Sequence, residues 1–350
     1  MKSTWPLLLV TILVTGALVA QQPPVSNAKL ETAQAQGGLE RAVKAAMTKQ
    51  AGAAWIGWAV KRIPSEGQSC CWNNGSYGCG LEGQKVTAAA AGGAVKLEGP
   101  THEHVLLRVE GGAIRKIRSF SADCPLDAGG LPFHWLTGVS AAESVAFLAA
   151  QVSRAGAARE EQRKADGAIH AIAQHAGSEA LQALEKMALQ GTTEKLKHQV
   201  LFWLGNSRGE EGYRLVARAL REDASEKVRE HAIFALTQSK APGAVAAIVR
   251  AAKEDKSAHV RGQALFWLAQ KAAAQAKGAI SEAIEKDPDT EVKKKAVFAL
   301  TQLPKDEGTP MLIQVARSNA NPAVRKQAMF WLGQSKDPRA LRFFEETLAR

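Results

Sequence analysis

The chain has 350 residues and a formal net charge of +11. Beyond the first twenty residues no stretch is long and apolar enough to span a bilayer, which excludes a membrane-embedded helical protein for the rest. The basic excess lies mostly from Arg163 onwards, with 30 basic against 22 acidic residues, and suits either acidic partners or a solvated helical surface of mixed charge.

Residues 1–20, MKSTWPLLLVTILVTGALVA, combine a lysine, an apolar run of secretory length and a small residue at Ala20. They are expected to be a cleaved signal peptide, with a periplasmic or extracellular mature protein. No cysteine follows Ala20, so nothing indicates lipid attachment there. Residues 21–50 read as a linker, Gln21 to Pro24, and an amphipathic helix over Leu30 to Lys49. From 51 to 139 the texture is β-rich. AWIGWAV has strand-forming residues, and HVLLRVEGGAIRKIRSFS reads as two strands around Gly111-Gly112, with Val105, Leu107 and Val109 on one face. Gly92-Gly93 marks another expected turn.

Cys70, Cys71, Cys79 and Cys124 are an even number in a chain expected to be exported, which favours two disulfides. Neighbours in sequence seldom bond to each other, so Cys70 and Cys71 should each reach one of Cys79 and Cys124. A Cys71 to Cys79 bond would close the short loop CWNNGSYGC and leave Cys70 for Cys124; the converse pairing stays open.

Chemical motifs are sparse. His102-Glu103-His104 lacks the spacing of a zinc-protease helix. On a strand, His102 and His104 share a face and would bind a metal only with help from His134 or a cysteine. No C-x-x-C, P-loop or dinucleotide fingerprint occurs, and the sequence around Ser76 lacks the first glycine of a nucleophile elbow. Asn74-Gly75-Ser76 is a glycosylation sequon. The reading is no catalytic residue, no metal and no cofactor. The alternative is an enzyme or metal-binding protein with its site in this front module.

Ser140 to Glu143 is a capping-box pattern that opens a helical region, 140–350. Within it Phe202, Phe234, Phe266, Phe298 and Phe330 recur every 32 residues, and His170 stands one step earlier. Six units start near 163, 195, 227, 259, 291 and 323. Most open with an aliphatic and a basic residue, as in Val228-Arg229 and Val324-Arg325. Small residues (Ala232, Ala264, Ala296, Ala328) and leucines (Leu236, Leu268, Leu300, Leu332) follow at helical spacing. Asp223, Asp255, Asp287 and Asn319 stand where they can cap the following helix. A period of this length is the mark of a solenoid.

NPAVRKQAMFWLGQSKDPRALRFFEETL, Asn321 to Leu348, resembles a HEAT repeat of the short bacterial kind also found in phycobilisome lyases. The resemblance covers about 163–350 and implies a mainly α protein: a right-handed α-solenoid of six HEAT-like helix pairs behind a small disulfide-braced β-rich module. It also implies a scaffold or adaptor that holds a protein or peptide partner. The front module resembles no family.

Two columns concern the partner. The residue after each Phe alternates, Trp203, Ala235, Trp267, Ala299 and Trp331, and such alternation predicts interior packing. Each Phe lies about 200° around the helix from the core residue two positions before it, as Phe330 does from Ala328. It is flanked by an amide column that includes Gln238, Gln270, Gln302 and Gln334. Either this stripe is a binding surface, or the rings stack on each other and the amides link into a ladder; half-covered rings would satisfy both. The basic column, Lys197, Arg229 and Arg261 among it, is expected to pair with the acidic residue six positions before. Export and this pairing speak against nucleic acid. Phe343 and Phe344 have no following unit, which leaves self-association through the last helix open.

Overall fold

The structure is a computed structural model and describes residues 23–50, 52–64, 69–73, 76–84, 86 and 99–349. The signal peptide, Asn74 of the sequon and the Gly92-Gly93 turn lie outside the described residues.

Strands β1 (Val25–Ser26) and β2 (Lys29–Gln34) precede helix α1 (Leu39–Lys49) and strand β3 (Ala54–Lys61). Three two-residue strands follow, β4 (Trp72–Asn73), β5 (Ser76–Tyr77) and β6 (Cys79–Gly80). The hairpin β7 (His102–Glu110) and β8 (Ala113–Ser121), then β9 (Leu126–Asp127) and β10 (Pro132–Thr137), complete the front module. The main sheet has the order β2-β10-β3-β7-β8. Gly111 and Gly112, at φ 58° and 68°, make the tight β7–β8 turn that residues with a Cβ resist.

Two expectations are corrected here. The helix expected over Leu30 to Lys49 begins only at Leu39; Lys29–Gln34 is a strand that pairs in parallel with β10. Gly37 and Gly38, at φ 72° and 98°, separate the two. The supposed linker likewise leads into β1, which pairs with Leu126 and Asp127. The module therefore spans about 25–137 rather than 51–139, because a strand with no buried side chain is defined only by its distant partner.

Side-chain alternation gives the sheet two dry faces. One gathers Trp55, Leu106, Phe120, Phe133 and Trp135 beneath the cysteines. The other, with Ile56, Trp58, Val105, Leu107 and Ile117, merges with the helical core. Trp58 Nε1 donates to Ser144 Oγ at 2.8 Å, His175 Nε2 lies 2.7 Å from that same hydroxyl, and Arg62 pairs with His175 through an isolated β-bridge. The module is thus seated on the first helices and shares their core.

Helix α2 (Ala141–Ser153) starts with the full capping box, the Ser140 hydroxyl accepting from Glu143 N while the Glu143 carboxylate accepts from Ser140 N. Six helix pairs follow: α3 (Arg159–Gln174) with α4 (Ser178–Gln190), α5 (Glu194–Ser207) with α6 (Gly209–Glu222), and α7 (Glu226–Gln238) with α8 (Ala244–Glu254). Then come α9 (Ala258–Lys271) with α10 (Ala273–Lys286), α11 (Thr290–Leu300) with α12 (Lys305–Ser318), and α13 (Pro322–Gln334) with α14 (Pro338–Leu348). First helices pack on first helices. The predicted small and leucine columns form the seam: Val200, Ala232, Ala264, Ala296, Ala328 and all five leucines are buried.

The acidic column does not cap the next helix, as expected, but builds the turn before it. Asp223, Asp255, Asp287 and Asn319 each accept from the amide two residues on. The caps are Thr193, Ser225, Ser257, Asp289 and Asn321. The basic column also differs from expectation. Arg229 pairs with Asp255, and Arg261 with Asp287, 26 residues ahead in their own units, at 2.8–3.1 Å. Lys197 reaches Asp223 at 2.6 Å. The residue six positions before supplies its backbone carbonyl instead: Asp223 O accepts from Arg229 at 3.0 Å and Asp255 O from Arg261 at 2.9 Å. Turn geometry decides this, since a carboxylate folded back on its own turn presents its carbonyl to the next helix. Each arginine therefore staples two successive turns.

Candidate functional site

The phenylalanine column lines up along one flank of the solenoid, but it is not built from phenylalanine alone. His170 lies 4.4 Å from Trp203, centroid to centroid, and Trp203 meets Phe202 edge-on at 5.0 Å. Phe202 stacks on Phe234 at 6.2 Å, Phe234 touches Trp267 at 5.2 Å, and Trp267 meets Phe266 at 5.2 Å. Phe266 stacks on Phe298 at 5.8 Å, Phe298 touches Trp331 at 4.8 Å, and Trp331 meets Phe330 at 5.0 Å. The rings form an unbroken zigzag over six units. Every ring in it is partly exposed, and Phe330 most of all, at 54 %.

This corrects the reading of the tryptophans as interior. Ala171, Ala235 and Ala299 are fully buried, whereas Trp203, Trp267 and Trp331 are half-buried within the stripe. The alternation has a geometric consequence. Where the column holds alanine, helices approach closely, a Cβ on Gly205 would strike Ala235 O, and the phenylalanines of adjacent units stack directly. Where it holds tryptophan, the indole extends back to the ring of the preceding unit. An indole is too wide for the close interface and so lies along its rim. The stripe repeats every two units.

The amides do not form a ladder. Gln238 donates to Thr237 at the end of α7, and Gln302 to Thr301 in the turn after α11, at 2.8 Å each. Gln174, at the buried end, donates to Ser207 Oγ and accepts from Arg62. Gln270 and Gln334 are exposed, with no hydrogen bond among the described residues. Phe343, thought uncovered, is buried under Arg317; Leu341 and Leu348 are the exposed apolar residues of α14.

The front module offers less. Its cysteines form Cys70–Cys124 and Cys71–Cys79. Three of the sulfurs cluster, but as disulfides they supply no thiolate. His104 pairs with Ala59 and His134 with Ile56, three positions apart on β3, so the two histidines point to opposite faces of the sheet. His134 sits instead beside Glu31 at 3.3 Å. His104 rests edge-on against Trp135, and burial holds its imidazole neutral, pushed down to about 4. The histidine set considered for a metal does not converge.

What was not anticipated is a buried ion pair under the sheet, Arg62 Nε to Glu103 Oε2 at 3.4 Å, with Glu103 fully buried. Nearby, Ser119 Oγ lies 3.0 Å from His170 Nδ1, at the head of the stripe. Burial raises the Glu103 carboxyl to about 7, while Arg62 works in the opposite direction. Folded protein then keeps a proton that unfolded chain has lost, so this group makes stability fall as pH rises from 4.5 towards 7. Glu103→Gln is expected to flatten the melting temperature over that window. An unaltered slope would show that Arg62 keeps the carboxylate ionised throughout.

Residues 213–280 and 277–350 match the family model of HEAT repeats. Residues 213–350 carry HEAT repeats. Two solved structures resemble it. The CpcE and CpcF complex of phycocyanin lyase from Nostoc sp. PCC7120 is 13 % identical, with a TM-score of 0.34, covering 45 % of this chain and 97 % of that one. Human deoxyhypusine hydroxylase in complex with glycerol is 16 % identical, with a TM-score of 0.32, covering 60 % and 80 %. No curated protein matches the chain. Among the described residues no helix is long and apolar enough to cross a membrane.

Proposed function

We propose that the HEAT array is an exported scaffold that holds a protein or peptide partner along the aromatic stripe. HEAT repeats are generally protein-interaction scaffolds. The observation that carries the reading is the continuity of partly exposed rings from His170 to Phe330, edged by amides with unused hydrogen-bonding capacity. Such rings offer apolar area at low cost in side-chain entropy, and Gln270 and Gln334 can bond a peptide backbone laid across them. Two disulfides fit an oxidising compartment, as expected after a signal peptide.

The test is affinity capture from an envelope extract of the native host, read by mass spectrometry. Wild-type protein is compared with Phe234→Ser, at the centre of the stripe. Because Phe234 is only half-buried, the substitution should cost about 1–2 kcal/mol of stability. Loss of a central anchor should weaken capture by at least about tenfold. Undiminished capture by folded Phe234→Ser would sink the reading.

A further inference from the structure

A second surface lies where module and solenoid meet. The outer strand of the main sheet, β8, runs beside the first two turns of α3, and between them is a groove of about 750 Å³. Seven cationic side chains line it against two carboxylates. Both carboxylates are already engaged, Glu110 by Arg108 at 2.9 Å and Glu160 by Arg115 at 3.6 Å. Lys116, Arg118, Arg159 and Arg163 form no ion pair among the described residues. Arg118 is held in place over the Phe120 ring at 4.7 Å, its Nη2 donating to Cys71 Sγ at 3.5 Å.

Charge on an outer strand has a common role, which is to keep sheets from pairing edge to edge. One or two lysines on the strand do that. Here the positive charge comes from two different elements and converges on one concavity, with Arg159 and Arg163 one turn apart on α3 facing the hairpin. Alone among the helices that open units of the stack, α3 has alanine at its N-cap, with no side chain bonded to its first amides. A single small anion would fill little of this volume.

We propose that this groove receives an extended acidic segment of a protein partner, its carboxylates meeting Lys116, Arg159 and Arg163. Arginine forks match carboxylates two bonds at a time, and walls of low dielectric on both sides strengthen the field in between. The same charges repel a second copy of β8. The site is separate from the aromatic stripe, so either can fail without the other.

The probe is a fluorescein-labelled peptide of alternating glutamate and valine, titrated by anisotropy with the mature full-length protein at physiological ionic strength. Saturable binding is expected, weakened at least about tenfold by Lys116→Glu with Arg163→Glu. Both side chains are exposed, so the melting temperature should hold. Lys326→Glu with Lys336→Glu makes the same charge change at the far end, on exposed residues, and should leave the affinity within about twofold. Phe234→Ser should also leave it unchanged. Equal weakening by the two charge-reversed pairs would reduce the effect to overall charge and overturn the proposal. So would absence of saturable binding, or a heparin oligosaccharide that binds through Lys116 and Arg163 where the peptide does not.

Discussion

Arg261→Ala is expected to destabilise the protein by about 3–5 kcal/mol, measured by urea denaturation. Its side chain is 11 % exposed and that of Asp287 5 % exposed, so water screens the pair little. Without the guanidinium, Asp287 keeps only the Asp289 amide, and Asp255 O loses its donor. Burial tends to raise the Asp287 carboxyl, but the Arg261 bonds and the Asp289 amide outweigh it and hold the group below its ordinary range. Stability from this pair is therefore fully present above that ordinary range and lost as pH falls through the depressed value. Arg261→Ala should lose that acid dependence as well.

A compensating variant separates pairing from packing. Arg261→Met with Asp287→Asn removes both charges yet preserves the acceptor for Asp289 N. It should recover most of the loss, since replacing a whole buried pair costs far less than orphaning one member. A loss below about 1 kcal/mol for Arg261→Ala would place the pair in the class of screened surface bridges. Because each unit touches only its neighbours, a break at this staple should uncouple the units on either side of it.

The two disulfides should differ in worth. Cys70–Cys124 spans a separation of 54 residues and Cys71–Cys79 only 8. Loop-closure entropy then assigns about 4 kcal/mol to the first and about 2.5 kcal/mol to the second. Cys70→Ser with Cys124→Ser should lower the urea midpoint more than Cys71→Ser with Cys79→Ser. The reverse order would show that the short CWNNGSYGC loop, and not the long closure, holds the small strands in place.

The helical part was legible because it repeats. A column such as Val228, Val260, Val292 and Val324 states the same local solution several times, and helix periodicity is local physics. The hairpin was legible for a similar reason, with alternation on each side of two adjacent glycines. Glu103 carried a readable signal that went unused. It shares strand parity with Val105, Leu107 and Val109, so the pattern already assigned it to the buried face. By contrast β2, KLETAQ, has no buried residue and no inward stripe, so nothing within it distinguishes a strand from the start of a helix.

By itself, then, the sequence determined the number of helix pairs, their seam residues and the existence of a ring column, all consequences of helical spacing repeated every 32 residues. Contact between units decided the rest. Whether tryptophan goes inside or lies along the rim depends on how closely two backbones approach. Which aspartate an arginine meets depends on how a turn folds back beside its neighbour. Whether three histidines converge depends on pairing register, which places His134 on the opposite side of the sheet from His104. Each of these is set by distances between segments far apart in the chain, and such distances exist only after the units have stacked.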